Sequence, residues 1–575
     1  MCGIYGGHLD RLAPDAERRL RHRGPDQQGL VDVADPHGRA LRLGQTRLSI
    51  VDRHDVPVPL SIGDATIVYN GEVYNWRDLR TQLETLGHVF TTQTDTEVVL
   101  AAYLEWGAGC LEKFNGMFAF AVHRGSRLFL ARDRMGKKPL FYTHDGDGRF
   151  AFASEVKALG ALHATQSRLH QQLEFYFDAV TPWQSHGRPV LSVLPGQSLS
   201  VDLQTGGLTK QTWWRLPAFE ASLEDEREAL SRFLEVFTSA CELRKLADVP
   251  VTTFLSGGID SSLIQAVVRS EKTYTVHFEE FAGTIDERPY VRELSERLGF
   301  EAEVLLPTHA DLRAHLDTIA RSIEMPVGSF SLLPLFMLSR AARRDGFEVG
   351  LSGEGADELF SGYHRTGVLL REQARIDEES AGAYGPLAQR YFGSGLERFA
   401  RMASRDGMAG AVALVELLRP RWREGASLSE NICRVEAGVF LQPLLAMADR
   451  MSMANGLEMR NPFLDYRVVE LATKLHPSLK HRDGQGKWLL RRALRELVGD
   501  DLGVVKRSEK HGLPAPINQW VFGQAGGGRK RWNALVQGRA VAQLDPRVAE
   551  DAGDGRAQGV WASGRPGGLA GLDEE

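Results

Sequence analysis

A chain of 575 residues that is 43% hydrophobic, 25% charged and 8% aromatic has the composition of a soluble globular protein, long enough for several domains. Lys and Arg number 69 against 75 Asp and Glu, so the net charge is -6 and no basic footprint for nucleic acid appears. No apolar run approaches the roughly 18 residues of a membrane span, MCGIYGGHLD lacks a secretory pattern, and four scattered cysteines (Cys2, Cys110, Cys241, Cys433) suit a reducing cytoplasm rather than a disulfide scaffold or metal site.

Residues up to about 215 read as an α+β unit. ATIVYNGEVYN (65–75), GMFAFAVHR (116–124), SRLFLARD (126–133), PLFYTHD (139–145) and RFAFASE (149–155) are short β-branched and aromatic runs. Alternation in MFAFAV and RLFLAR predicts strands, with turns at 123–126 and 145–148. NWRDLRTQLETLG (75–87) predicts a helix with Leu79, Leu83 and Leu86 on one face. The texture changes near Pro217. Residues 222–246 carry Leu223, Leu230, Phe233, Leu234, Phe237 and Cys241 at helical spacing, with a cap expected at Ser222. A buried strand at 249–255, SGGIDSS with a second helix, TYTVHF (273–278), a helix through about Leu298 and EVGLSGEG (348–355) form an alternation that predicts a parallel sheet with helical crossovers. Helical segments dominate from about 365 to 500. The last fifty residues, with GGGRKR (526–531) and GRPGGLAGLDEE (564–575), read as partly disordered. There is no tandem repeat.

Cys2 follows the initiator Met. Loss of Met1 leaves thiol and α-amine on one residue, and an amine with a pKa of about 8 can act as the thiol's own base. Attack on an amide carbonyl also needs an oxyanion hole and groups that hold the substrate. RLSIV (47–51), YNGEVYN (69–75), TDTE (94–97), GMFAFA (116–121), ARDRMGKKPLFY (131–142) and FASEVKAL (152–159) follow in order. Together they resemble the N-terminal-nucleophile (Ntn) glutaminase domain of class II amidotransferases of the asparagine synthetase B type. The resemblance implies that Arg47 binds the glutamine α-carboxylate, for which a guanidinium fork is suited, with Leu48, Ile50 and Val51 beside it. It assigns the oxyanion hole to Asn70 and Gly71, and the α-ammonium to Glu72 and Asp95. Gln45 stands where relatives often carry His; the expectation is altered packing around the pocket, with no catalytic group lost.

SGGIDSS (256–262), between a buried strand and a helix, is a phosphate loop without the Walker lysine. It resembles the pyrophosphatase-type loop (PP-loop) of synthetases that split ATP between the α and β phosphates. SGEGADELFSGY (352–363) supplies Glu354, Asp357 and Glu358, a cluster that repels itself unless cations neutralise it. The resemblance implies Mg²⁺ on Asp260 and Asp357. It places ATP against Leu255, Ser256, Gly257, Gly258, Asp260, Ser261, Ser262, Val276, Ser352 and Gly353. Glu354 is assigned to the acceptor, orienting it or its incoming amine. DRMSMANGLEMRNPFLDYRVVE (449–470), GKWLLRRAL (486–494) and KHGLPAPINQW (510–520) match the same family, and Lys510 corresponds to a lysine on the phosphates. Departures are Glu324-Met325-Pro326 for Asp-Glu-Pro, Ser361 for Gly, Ser508 near a usual Arg with Arg507 offset by one, and a Gly-rich tail.

The expected fold is an α+β Ntn hydrolase αββα sandwich (2–215), then an α/β PP-loop, adenine nucleotide alpha hydrolase-like synthetase domain (216–525), then a tail (526–575). The implied reaction releases ammonia from glutamine, activates a carboxylate with Mg²⁺-ATP as its acyl-adenylate and aminates it. Aspartate is the first choice of acceptor. A natural-product or cell-wall carboxylate is the alternative. An amide-forming cyclase of the β-lactam synthetase or lasso-peptide kind is disfavoured by intact Cys2, Arg47, Asn70 and Asp95, and a silent interaction protein by intact carboxylates. The resemblance further implies a cytoplasmic enzyme, often a homodimer in relatives, without nucleic-acid or membrane partners. It also implies a water-shielded ammonia passage, for which apolar segments at 150–160 and 200–215 are candidates.

Overall fold

The computed structural model describes residues 2–54, 56–145, 148–164, 180–282, 286–324, 329–380, 394–403, 418–507 and 515–522, with the isolated positions 411, 414–416 and 536. Its first half stacks two antiparallel sheets. One orders eight strands as Leu162–Ala164, Val180–Ser185, Arg188–Ser192, Phe141–His144, Phe150–Ala153, Cys2–His8, Ala40–Arg47 and Gln27–Ala34. The other orders six as Leu208–Thr212, Gln197–Asp202, Arg127–Arg132, Gly116–Arg124, Ala65–Val73 and Leu60–Ile62.

A period of two sends alternate side chains to opposite faces. Ala119 and Ala121, with Val68 from the neighbouring strand, face the other sheet and join Ile4, Leu41, Leu43 and Phe152 in one buried cluster. Phe118, Phe120 and Val122 face the helices Trp76–Thr85 and Asp95–Trp106 and pack with Leu79, Leu83 and Val98. In the strand Gly116–Arg124 small residues lie between the sheets and aromatic ones under the helices; in Phe150–Ala153 the order is reversed, with Phe150 and Phe152 between the sheets of the αββα sandwich. The outer face of the eight-stranded sheet, through Tyr5, Ala151 and Ala153, packs on the short helix Ala16–Leu20 and on helices of the second half.

The second half is built on five parallel strands in the order Glu301–Leu305, Lys272–Val276, Val251–Phe254, Val349–Leu351 and Glu458–Arg460. Helices Glu226–Leu243, Ile259–Val268, Arg288–Leu298 and Trp488–Val498 supply one core, and His309–Ile323, Leu332–Arg344 and Leu441–Met453 supply the other. Both faces are thus covered, as parallel sheets require. The first of these helices begins at Glu226 under an Asp225 cap, whose side chain accepts the Glu228 N–H at 2.7 Å. Ser222 is not the cap, because its N–H is bonded to the Lys474 carbonyl at 2.9 Å and the chain there is extended. From the central strand Val251–Phe254 the chain runs outward through 272–276 to 301–305, then returns to lay Val349–Leu351 on the other side. That reversal makes a switch point, where ligands of open α/β sheets bind beyond the carboxyl ends of the strands. SGGIDSS and SGEGADE are the two loops that leave it. No helix among the described residues is long and apolar enough to cross a membrane.

The halves meet over a buried surface that is both apolar and charged. Phe141, Ala153, Val156 and Ala158 share a cluster with Leu316, Ile319, Met447 and Met451. The same stretch brings in charge that the apolar reading of 150–160 did not anticipate. Arg23, fully buried, pairs with Glu155 and Asp449 at 2.8 Å each, and Arg450 reaches Glu155 at 2.7 Å. Such charges are tolerated in a dry junction because each has opposite-sign partners. Glu324 belongs to this junction too. It holds φ 54 at the end of its helix and accepts the N–H groups of Val156 (3.1 Å) and Lys157 (3.0 Å) while pairing with Arg450 (3.3 Å). This departure from relatives thus takes part in how the halves dock.

Candidate functional site

Cys2 opens its strand directly opposite Arg47. A Cβ on Gly3 would approach Leu20 and Thr46 to 2.8 Å, so glycine lets this end of the strand lie close to its neighbours. The Cys2 N–H donates to Asn70 Oδ1 at 3.1 Å. A side-chain amide has one acceptor end and one donor end, so this bond directs Asn70 Nδ2 the other way, buried and without a hydrogen-bond partner among the described residues. An orphan donor of that kind is what an oxyanion hole requires. At Gly71 a Cβ would run into the Met117 carbonyl and Phe118, so only glycine fits.

Arg47 is held by four acceptors: Gln27 Oε1 (3.1 Å) and the carbonyls of His54 (3.3 Å), Val51 (2.9 Å) and Asp52 (2.5 Å). Leu48 and Ile50 turn into the core shared with the second half, and Val51 packs against it. Asp95, in the first turn of its helix, accepts from Tyr69 Oη at 2.6 Å and the Val73 N–H at 2.9 Å. Burial nevertheless pushes its carboxyl up to about 6. Glu72 lies well above the ordinary carboxyl range, through burial first and the Asp95 charge second, with Arg460 opposing both. One of its oxygens, Oε1, is buried without a hydrogen-bond partner among the described residues. Two desolvated carboxyls, one raised by the charge of the other, suit a cationic group of a ligand.

At the switch point, Leu255 donates its N–H to the Tyr274 carbonyl at 2.9 Å, and Val276 ends the adjacent strand. Ser256 N–H donates to Ser261 Oγ at 3.1 Å, and Gly257 turns at φ 68. Ser262 is buried at the start of the following helix, and its hydroxyl has no partner among the described residues. A Cβ on Gly353 would lie 2.9 Å from Asp260 Cβ, so the two loops touch through that glycine, with Ser352 beside it. Lys487 Nζ sits between Asp260 (2.5 Å) and Asp357 (2.8 Å). Glu354 accepts from Ser352 Oγ and from Asn461 Nδ2 (2.7 Å), and burial raises its carboxyl. Lys510 and Ser508 lie outside the described residues, as does the tail except Val536. Arg507, the offset residue, donates to the Gly257 carbonyl at 3.1 Å. Ser361 holds φ 56, which accounts for the usual glycine there; its hydroxyl meets Cys433 Sγ at 3.4 Å.

Three residues without an assigned role in the sequence reading stand at these centres. Arg460 Nη2 reaches Glu72 Oε2 at 3.4 Å, and its carbonyl accepts the Ser352 N–H at 3.0 Å. Asn461 follows it, and Lys487 is the third. Their segments, GLEMRNPF and GKWLLRR, matched as motifs, but the strand Glu458–Arg460 is three residues long and its partner lies about a hundred residues upstream. No local periodicity could have exposed it.

A thiol beside an amide-lined hole, joined to a nucleotide-type switch point, is the arrangement of a glutamine-dependent carbon–nitrogen ligase. The family model described as a glutamine amidotransferase domain matches residues 1–214, and that described as asparagine synthase matches residues 232–552. The chain is 30% identical to asparagine synthetase [glutamine-hydrolyzing] 1 of Bacillus subtilis, over 91% of this chain and 88% of that protein. It is 31% identical to asparagine synthetase [glutamine-hydrolyzing] 3 of the same organism, over 88% and 86%. Amidase chry2 of Gibberella zeae is 25% identical over 96% and 92%. The chain belongs to the asparagine synthase family, and it is an ATP-dependent ligase that takes nitrogen from glutamine.

Proposed function

We propose that the chain is a glutamine-dependent asparagine synthetase, with residues 2–215 as the glutaminase, 216–525 as the synthetase and 526–575 as a Gly-rich tail. The span of the glutamine amidotransferase match, residues 1–214, supports the division near 215. Freed of Met1, Cys2 passes its thiol proton to its own α-amine, and the sulfur attacks the side-chain carbonyl carbon of glutamine. Asn70 Nδ2 and the Gly71 N–H receive the oxyanion; collapse expels ammonia with that proton, and water cleaves the thioester to glutamate. Arg47 takes the α-carboxylate, with Leu48, Ile50 and Val51 around it, and Glu72 and Asp95 take the α-ammonium.

In the second half an aspartate carboxylate oxygen attacks the α-phosphorus of ATP and pyrophosphate leaves. Ammonia then attacks the acyl carbon and AMP leaves, with Glu354 orienting acceptor or amine. Asp260 and Asp357 fit Mg²⁺: both already reach one cation, the Lys487 ammonium, at 2.5 and 2.8 Å. Two carboxylate donors suit an ion that takes its other ligands from phosphate and water. When bound, it supplies positive charge to the phosphate oxygens. Lys510 is assigned to the same phosphates. Ammonium is no nucleophile, so the nitrogen must cross under cover of the junction.

The observation that carries the reading is the shared strand end, where Arg460 reaches Glu72 at 3.4 Å and its neighbour Asn461 reaches Glu354 at 2.7 Å. Two residues adjacent in the chain thereby touch a carboxylate proposed for glutamine and the one proposed for the acceptor. The test is incubation of the purified protein with ATP, Mg²⁺, glutamine and candidate carboxylates, measuring AMP, pyrophosphate and amide. Aspartate-dependent AMP with asparagine formed is expected. Glutamate release without aspartate-dependent ATP cleavage moves the acceptor elsewhere.

The pocket carboxyls give a pH dependence with a definite sign. Below about 6 Asp95 is protonated and cannot pair with an ammonium group; glutamine binding then has to expel that proton. The KM for glutamine should therefore fall as pH rises through about 6, and Asp95→Asn should remove that fall. A KM that is flat from about pH 5 to 8 in the parent chain, or equally sloped in the variant, counts against Asp95 as the ammonium partner.

A further inference from the structure

Gln45 occupies a position that decides how the Cys2 sulfur is presented. It is buried, 2% exposed, on the strand opposite Cys2–His8, two residues before Arg47 and on the same face. Its Oε1 accepts the Tyr69 N–H at 3.0 Å, and its Nε2 lies 3.4 Å from Cys2 Sγ. The orientation is forced. A backbone N–H can only donate, so the oxygen must face Tyr69 and the NH₂ must face the sulfur. Tyr69 precedes Asn70, so one short stretch of strand fixes two side-chain amides. Asn70 gives its oxygen to the Cys2 main-chain nitrogen and keeps its NH₂ for the oxyanion; Gln45 gives its oxygen to Tyr69 and its NH₂ to the sulfur.

From this we infer that Gln45 is a positioning residue of the glutaminase reaction, an uncharged donor that aims Cys2 Sγ and stabilises it as it loses its proton to the α-amine. The inference rests on Cys2 being the nucleophile. A neutral donor stabilises an anionic sulfur without holding it as a permanent ion pair. Packing alone does not account for the residue: a hydrocarbon of the same size would leave the Tyr69 N–H buried without an acceptor and the sulfur without a donor.

The test uses the full chain and glutamate release from glutamine, with iodoacetamide labelling of Cys2 followed by peptide mass spectrometry and the thermal midpoint of each variant. Gln45→Glu keeps the shape and the Tyr69 acceptor but presents no NH₂ to the sulfur. It should lower kcat and the labelling rate about tenfold or more, with KM for glutamine within about twofold. Gln45→His, which restores a ring N–H donor, should recover most of both rates. If Gln45→Glu folds with the parent midpoint yet keeps the parent kcat and labelling rate, the proposal is wrong. A loss confined to KM, or a Gln45→His as slow as Gln45→Glu, overturns it equally. Should Gln45→Glu fail to fold, Gln45→Leu and Gln45→His decide: equal rates in those two exclude a donor role. Glutaminase surviving in Cys2→Ala would instead remove the nucleophile reading itself, an outcome distinct from an inactive Cys2→Ala with indifferent Gln45 variants.

Discussion

Cys2→Ala should abolish glutamate release, by at least about 10⁴-fold, while ATP cleavage supported by ammonium salts continues. No other thiol can take over. Cys110, Cys241 and Cys433 are wholly buried in separate parts of the chain, and burial pushes each thiol up, so a thiolate there is disfavoured. The substitution removes a single sulfur and leaves the main-chain bond to Asn70 and the Arg23 bond to the Cys2 carbonyl (3.1 Å) available. The docking of the halves through Arg23 should therefore persist, and with it the second centre. Glutamate production by the alanine variant at a tenth of the parent rate would show that the nucleophile is elsewhere. Loss of ammonium-supported activity as well would show that Cys2 also shapes the junction.

The strand Gly116–Arg124 was legible because its two faces differ in residue size. MFAFAV writes that difference in six letters, and Ala119 and Phe120 fall on the faces that the alternation assigns. The loops of the second half were legible because SGGIDSS and SGEGADE interrupt buried strands with residues that only a close backbone approach explains, and Gly353 against Asp260 is such an approach. What was hidden depends on partners distant in sequence. Ser222 and Asp225 are both acceptable caps by type; the choice falls to Asp225 because residue 475, far along the chain, holds residue 223 in an extended bridge. Glu324 reads as a residue of the synthetase half until Val156 and Lys157 are seen to give it their N–H groups. Gln45 reads as a lost histidine until the Tyr69 N–H fixes which end of its amide meets the sulfur. Side-chain type sets what a residue can do, and the partner brought by the fold selects among those possibilities.

Lys487→Met should lower ATP–pyrophosphate exchange by about 10²–10³-fold and leave glutaminase activity near the parent value. Lys487 is placed by its own backbone. It caps the helix Trp488–Val498 at φ 58, and its N–H is bonded to the Phe360 carbonyl at 3.0 Å, which fixes the side chain toward the loops. There it lies 2.5 Å from Asp260 and 2.8 Å from Asp357, and is itself 95% shielded. Removing the ammonium leaves two carboxylates at close quarters with one cation fewer to offset their repulsion. On the proposed reading it also removes a positive charge from beside the loops expected to hold ATP, where the departing pyrophosphate would gather negative charge. Arginine should not restore the rate. A Cβ on Gly362 would already run into both Asp357 and Lys487, so the cleft lacks room for a planar fork. The two effects separate by adding Mg²⁺: if excess metal brings Lys487→Met back to the parent exchange rate, the lysine serves only to neutralise the empty carboxylates, and its assignment to the leaving group fails. A defect that persists at saturating Mg²⁺, with glutamate release intact, is the expected result.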